Sequence, residues 1–252
     1  MLVLLRLLPS RTCFSLRSVS SSHTHLNMRA SILTFAGTVA AQNLFPSPPG
    51  VALPFGVQAP STSGFTNPSI GISRGGKAVC VSGTIAVPAN TTRNIKFNYQ
   101  LPQNQTQLTE TFVEYVTSGS PFSQEVMGGK QSVAGVYSIG ATLCTPANNT
   151  APQRVQLLTH GVGFDRYYWD FAPGYSYVDA VVENGYAAFF YDRLGVGVSE
   201  KADALSVVQS PLEVEIAHNL AIRLRNCTYS DDAFDTVVGV GHSFGSISKQ
   251  IV

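Results

Sequence analysis

Past Pro152 the chain alternates short apolar runs with segments whose apolar residues recur every third or fourth position. Arg154 to Thr159 and Ala187 to Tyr191 have the length of strands, and each leads into a glycine-containing turn. Between them, Tyr177 to Asn184 has helical spacing and stops at Gly185, a residue suited to closing a helix. A longer helix is predicted from Ser210, which would cap it, with Pro211 at the first helical position and Glu213 completing an S-x-x-E capping box. Leu212, Ile216, Leu220 and Leu224 repeat at four-residue spacing and predict one buried stripe. Thr236 to Val240 is the next strand-like run. Strand and helix taking turns in this way predicts a parallel sheet covered by its crossover helices.

Ahead of Pro152 the texture differs. Between Lys77 and about Thr145 the segments Ala78–Val81, Ile95–Tyr99, Thr111–Val116 and Val136–Ala141 alternate apolar with polar residues, with turn residues between them. They predict an antiparallel N-terminal region. Residues 42–75 are rich in Pro, Gly and Ser without periodicity and read as an extended linker. The expected division is therefore a leader over 1–41, a linker over 42–75 and one α/β domain over 76–252.

Composition changes this picture at the front of the chain. The 252 residues are 44% hydrophobic, ample for a core, and only 12% charged, about half the usual share. A net charge of +1 predicts no nucleic-acid partner. Eight of the sixteen Lys and Arg precede Glu110, the first acidic residue, and four of these (Arg6, Arg11, Arg17, Arg29) lie in leader-like sequence. Residues 1–27 have the Arg- and Ser-rich, acid-free composition of a mitochondrial transit peptide. From Met28 the chain restarts as a basic residue, an apolar stretch and Ala40-Ala41-Gln42, a compact secretory signal over 28–41. Secretion with a mature start at Gln42 is the preferred expectation, and mitochondrial import the alternative. No run reaches the ~18 apolar residues of a membrane span. Sequons at Asn90, Asn104, Asn148 and Asn226 fit an exported glycoprotein. With Cys13 assigned to the leader, Cys80 and Cys144 are expected to pair, leaving Cys227 for a partner outside this chain. No cysteine has metal-ligand spacing, and neither metal nor organic cofactor is expected.

The candidate chemistry is concentrated near the end. Gly241-His242-Ser243-Phe244-Gly245 is a G-x-S-x-G sequence directly after a strand-like run, the pattern of a nucleophile elbow. Gly241 and Gly245 let strand and helix meet in a turn that exposes Ser243 as nucleophile. The amide of Phe244 would face a developing oxyanion. His160-Gly161-Val162-Gly163 ends an earlier strand, where the Val162 amide can serve as the second donor. His160 is expected to brace that loop rather than act as a base. Asp192 is expected to tie down the loop it begins, His242 points away from its neighbour Ser243, and His218 faces solvent. Tyr167-Tyr168-Trp169 fits either an acyl pocket or packing beneath the loop. Gly195-Val196-Gly197 lacks the rest of a dinucleotide-binding pattern.

Taken together, L-L-T-H-G-V-G-F-D, F-F-Y-D-R-L-G-V-G-V-S and V-G-V-G-H-S-F-G resemble the α/β-hydrolase fold superfamily. The stretches F-A-P-G-Y-S-Y-V-D-A and P-L-E-V-E-I-A-H resemble its secreted fungal members. The resemblance is firm over residues 150–252 and loose over 76–149. It implies an α/β-hydrolase fold, here truncated after the elbow, with a mostly parallel sheet. It implies a serine hydrolase that cleaves small-molecule carboxylic esters, with amides or thioesters the less favoured alternative. Ser243 would be the nucleophile and Val162 and Phe244 the oxyanion hole. A catalytic acid and His should follow the nucleophile, and this chain ends before either. The alternative is an inactive truncated hydrolase or a hydrolase-derived binding protein.

Overall fold

A computed structural model describes Leu53 and residues 56–230 and 233–249. The leader and most of the first part of the linker lie outside the described residues. One six-stranded sheet organises the rest, in the order β1-β2-β3-β5-β4-β6. Its strands are β1 (Thr66–Ile72), β2 (Ala78–Phe97), β3 (Met127–Pro146), β4 (Arg154–Thr159), β5 (Ala187–Tyr191) and β6 (Thr236–Gly241). Strand β4 is parallel to both β5 and β6, whereas β1, β2, β3 and β5 pair antiparallel in succession. Hence β2, β4, β5 and β6 run one way and β1 and β3 the other. This mixed sheet, with its antiparallel strands at the N-terminal side, agrees with the expected α/β-hydrolase arrangement.

Both faces of the parallel part are covered. Every residue of β5 is buried, as a strand packed on two sides requires. Ala187, Phe189 and Tyr191 join the cluster beneath α4 (Ser210–Arg225), whose Leu212, Ile216, Leu220 and Leu224 form the expected stripe. Ala188 and Phe190 face the other cluster, under Val178, Val181 and Val182 of α3 (Tyr177–Glu183). Gly185, at φ 77°, takes the left-handed position after α3. Cys80 and Cys144 stand opposite each other on β2 and β3 and form the predicted disulfide across a separation of 64 residues. A loop of that size contributes roughly 4 kcal/mol by chain entropy. Cys227 is disulfide-bonded as well, which corrects its assignment as the cysteine left over.

Three local expectations are revised. Thr111–Val116 is not a strand but the end of helix α1 (Gln105–Val116). The Asn104 side chain accepts the Gln107 amide at 3.0 Å and starts the helix upstream, so a β-rich sequence is carried into helical register. Ser210 does not cap α4. The cap is Gln209, without a side-chain cap bond, and Glu213 turns inward to an arginine instead of back along the helix. Within the segment read as linker, Thr66–Ile72 adds an edge strand to β2. Asn67 at φ 50° and Pro68 coincide with a register shift between Thr66 and Ser69, a tolerable place for proline because an edge needs fewer donors.

The longest elements are β2 and β3, of 20 residues each. The level of Thr159, Tyr191 and Gly241 at the C-terminal ends of β4, β5 and β6 corresponds to Ala141 on β3 and Gly83 on β2. Residues 84–97 and 127–140 therefore extend beyond that level as a two-stranded arm, whose first half packs into the core with α4 through Ile85, Val87, Tyr137 and Ile139. Its tip carries α1 and the short α2 (Phe122–Val126).

Candidate active site

Strand β6 delivers Ser243 to that same edge. The His242 amide still bonds Thr159 O at 3.0 Å, after which the chain breaks into α5 (Phe244–Lys249). Ser243 sits at φ 53°, a left-handed conformation that costs a non-glycine residue about 1–3 kcal/mol and recurs at functional sites. Its side chain is exposed. The two motif glycines are sterically required. A Cβ on Gly241 would collide with the Gly245 carbonyl, and a Cβ on Gly245 with Thr159 O, with His160 O only 2.9 Å away. These are backbone atoms on both sides, so nothing soft can yield.

The loop after β4 presses against this turn. A Cβ on Gly161 would stand 3.0 Å from Ser243 Cβ and 2.9 Å from His242 Nδ1. Gly161 thus abuts the elbow, and the residues that follow each contact partner, Val162 and Phe244, carry the two candidate oxyanion amides. His160 braces the loop with both ring nitrogens. Its Nε2 accepts the Arg193 amide at 3.0 Å, which leaves Nδ1 to donate to Gly161 O at 2.8 Å. Burial lowers its pKa, so the ring stays neutral.

Arg193 ties the neighbouring elements together, a role the sequence did not show. Its guanidinium bonds both Glu213 carboxylate oxygens, at 2.8–3.0 Å, and lies 4.2 Å from the centre of the Phe244 ring. Burial raises the pKa of the Glu213 carboxyl, and Arg193 opposes that shift. No spacing rule connects positions 20 residues apart on a loop and a helix, which is why this pair was missed. Asp192 fulfils its expected structural role. It accepts the Arg166 amide at 2.9 Å and the Val198 amide at 2.9 Å, and forms an ion pair with the Arg166 guanidinium.

The aromatic residues take the packing reading. Tyr168 stacks on His242 with centroids 4.5 Å apart, Phe164 meets both rings, and Trp169 is buried beneath. The His242 ring is thus packed between aromatic neighbours. His218 is exposed on α4. Among the described residues no imidazole or carboxylate is hydrogen-bonded to Ser243. A cavity of about 290 Å³ opens beside Gly161, Val162 and Gly163, bounded by Arg193, Glu213 and the segment from Ala202 to Val208. Among the described residues no cluster of three or more His, Cys, Asp or Glu is placed to hold a metal, and no helix is long and apolar enough to cross a membrane.

No family model matches the chain, and no curated protein matches it. Solved structures do. An epoxide hydrolase from Vigna radiata is 21% identical over 45% of this chain and 29% of its own, with a TM-score of 0.34. A mutant form of a second such hydrolase is 22% identical over 45% and 30% of the two chains, also at 0.34. A bacterial esterase is 16% identical over 49% and 35%, at 0.25. The chain spans about a third or less of the length of these proteins. What the chain's own geometry shows is a mixed sheet whose β6–α5 turn exposes Ser243, the arrangement expected of an α/β-hydrolase fold.

Proposed function

We propose that this chain carries the nucleophile side of a secreted serine hydrolase acting on carboxylic esters. Ser243 Oγ attacks the ester carbonyl carbon and passes its proton to a general base. The oxyanion accepts from the Val162 and Phe244 amides, the alcohol departs, and water then releases the acyl group. The observation that supports this best is Ser243 in a left-handed elbow with Gly161 packed against it. The Cys80–Cys144 disulfide favours an oxidising compartment and so the signal at 28–41 over a mitochondrial leader. The base and its acid partner would come from residues other than those described.

A second reading has one observation in its favour. Because no described imidazole reaches Ser243, the chain by itself would act as a binding protein or an inactive hydrolase. A fluorophosphonate probe separates the two. Labelling that disappears in Ser243→Ala supports the hydrolase, and a folded chain that stays unlabelled supports the binding reading.

A further inference from the structure

Both candidate oxyanion donors are backbone amides, so their aim depends on how two peptide planes are held. The Val162 amide belongs to the peptide unit that also carries Gly161 O, and in a planar trans unit bonding one group fixes the direction of the other. His160 Nδ1 donates to Gly161 O at 2.8 Å, which sets the direction of the Val162 N–H. That bond depends on the tautomer. The Arg193 amide is only a donor, so its 3.0 Å bond to Nε2 requires an unprotonated nitrogen there and leaves the ring proton on Nδ1. On the other side of the site, the Phe244 amide shares its peptide unit with Ser243 O, which accepts the Ser246 amide at 2.9 Å.

One residue reaches both halves. The main chain of Arg193 holds His160, and its guanidinium lies 4.2 Å from the centre of the Phe244 ring. A cation over a ring face attracts it, more strongly where water is excluded, and this side chain is only 12% exposed. The guanidinium is not free to swing. Its Nε and Nη2 donate to the Glu213 carboxylate at 2.8–3.0 Å, a fork that fixes orientation as well as position. Glu213 is itself buried in the first turn of α4, flanked by Leu212 and Ile216 of the core. Helix α4 is thus the fixed body to which Arg193, and through it both donor-bearing turns, are attached. Among the described residues no hydrogen bond joins Arg193 to Ser243, so its effect on the reaction passes through Val162 and Phe244.

We propose that Arg193 is a positioning residue that locks the Val162 and Phe244 amides into one oxyanion site, with Glu213 as its anchor. The inference rests on the serine-hydrolase reading, and two readouts keep the two apart. The first is fluorophosphonate inactivation of Ser243 against probe concentration, which splits kinact from KI. The second is the NMR shifts of the Val162 and Phe244 amides in the probe-free chain. Arg193→Met is expected to lower kinact about ten- to a hundredfold at unchanged KI and to move both amide signals. Arg193→Lys, which keeps a cation over the ring, should recover part of the loss. Glu215→Gln, which removes an exposed ion pair with Arg93 from the same helix, should change neither readout. Because Arg193→Met leaves a buried carboxylate unpaired, the double variant Arg193→Met/Glu213→Leu removes both charges and carries the test if the single variant fails to fold. A wild-type chain that never labels would sink the hydrolase reading, while movement of both amides on Arg193→Met would still uphold their link. Labelling and amide shifts indifferent to the single and double variants would overturn the positioning role and leave the hydrolase. A shift confined to Phe244 would overturn the link to Val162. A raised KI with kinact unchanged would overturn the proposal too, by making Arg193 a contact of the substrate.

Discussion

The elbow corner and the tip of the arm are built by opposite rules. At the corner, backbone meets backbone so closely that Gly241 and Gly245 have no tolerated replacement, and three of the neighbouring polar side chains are fixed by partners. His160 uses both nitrogens, Asp192 gathers two amides and a guanidinium, and Arg193 is paired with Glu213. At the tip, α1 has no buried residue and leaves Phe112 exposed over an open apolar cavity. A reacting carbonyl must be held to a fraction of an ångström, so its site needs rigid, over-determined packing.

The contrast can be broken most directly at the elbow. Gly245→Ala should abolish fluorophosphonate labelling and lower stability by several kcal/mol, because the added methyl meets two backbone carbonyls. A soluble, fully labelled Gly245→Ala chain would show the corner to be softer than its contacts imply. Glu213→Ala comes next. It leaves the Arg193 guanidinium, only 12% exposed, without its carboxylate, and should cost about 3–5 kcal/mol in denaturant unfolding. If the loss is below ~1 kcal/mol, water replaces the carboxylate and the cluster is not a strut.

A smaller effect is expected from acid. His160 has a lowered pKa in the folded chain, so the unfolded chain binds its proton more readily. The stability contributed by the neutral ring is full above the ordinary value of about 6.5 and is lost as pH falls through the folded value. Thermal unfolding should therefore show a fall in Tm below that pH which His160→Gln removes. An unchanged pH profile in the variant would assign the acid sensitivity elsewhere. The smallest effect belongs to the arm. Phe112→Ser should change stability by no more than about 0.5 kcal/mol, since the ring is mostly in water already. A loss of several kcal/mol would mean that the tip is part of the core and erase the contrast.

Legibility followed the same divide. Periodicity located β4, β5, β6, α3 and the stripe of α4, because each is a local pattern set against one continuous core. The motif glycines were legible because their stereochemistry is local too. Thr111–Val116 misled because its β-rich composition was outweighed by a helix start at Asn104, several residues upstream. The capping box at Ser210 failed for a different reason. Glu213 had a stronger, charge-assisted partner in Arg193, and no feature of the local sequence announces a contact made through space.

What the residues determined by themselves is the strand-turn-helix around Ser243, the loop at His160–Gly163 and the pairing of Cys80 with Cys144. Each follows from short-range geometry or from few possible partners. The tertiary structure alone decided that Gly161 lies against Ser243, that Arg193 joins Glu213 and Phe244, and that β2 and β3 run on past the level where the parallel strands end, with an apolar cavity at their tip. Those are relations between segments distant in sequence. They arise only when burial of the two faces of the sheet sets the strand order and brings the loops at one edge into contact.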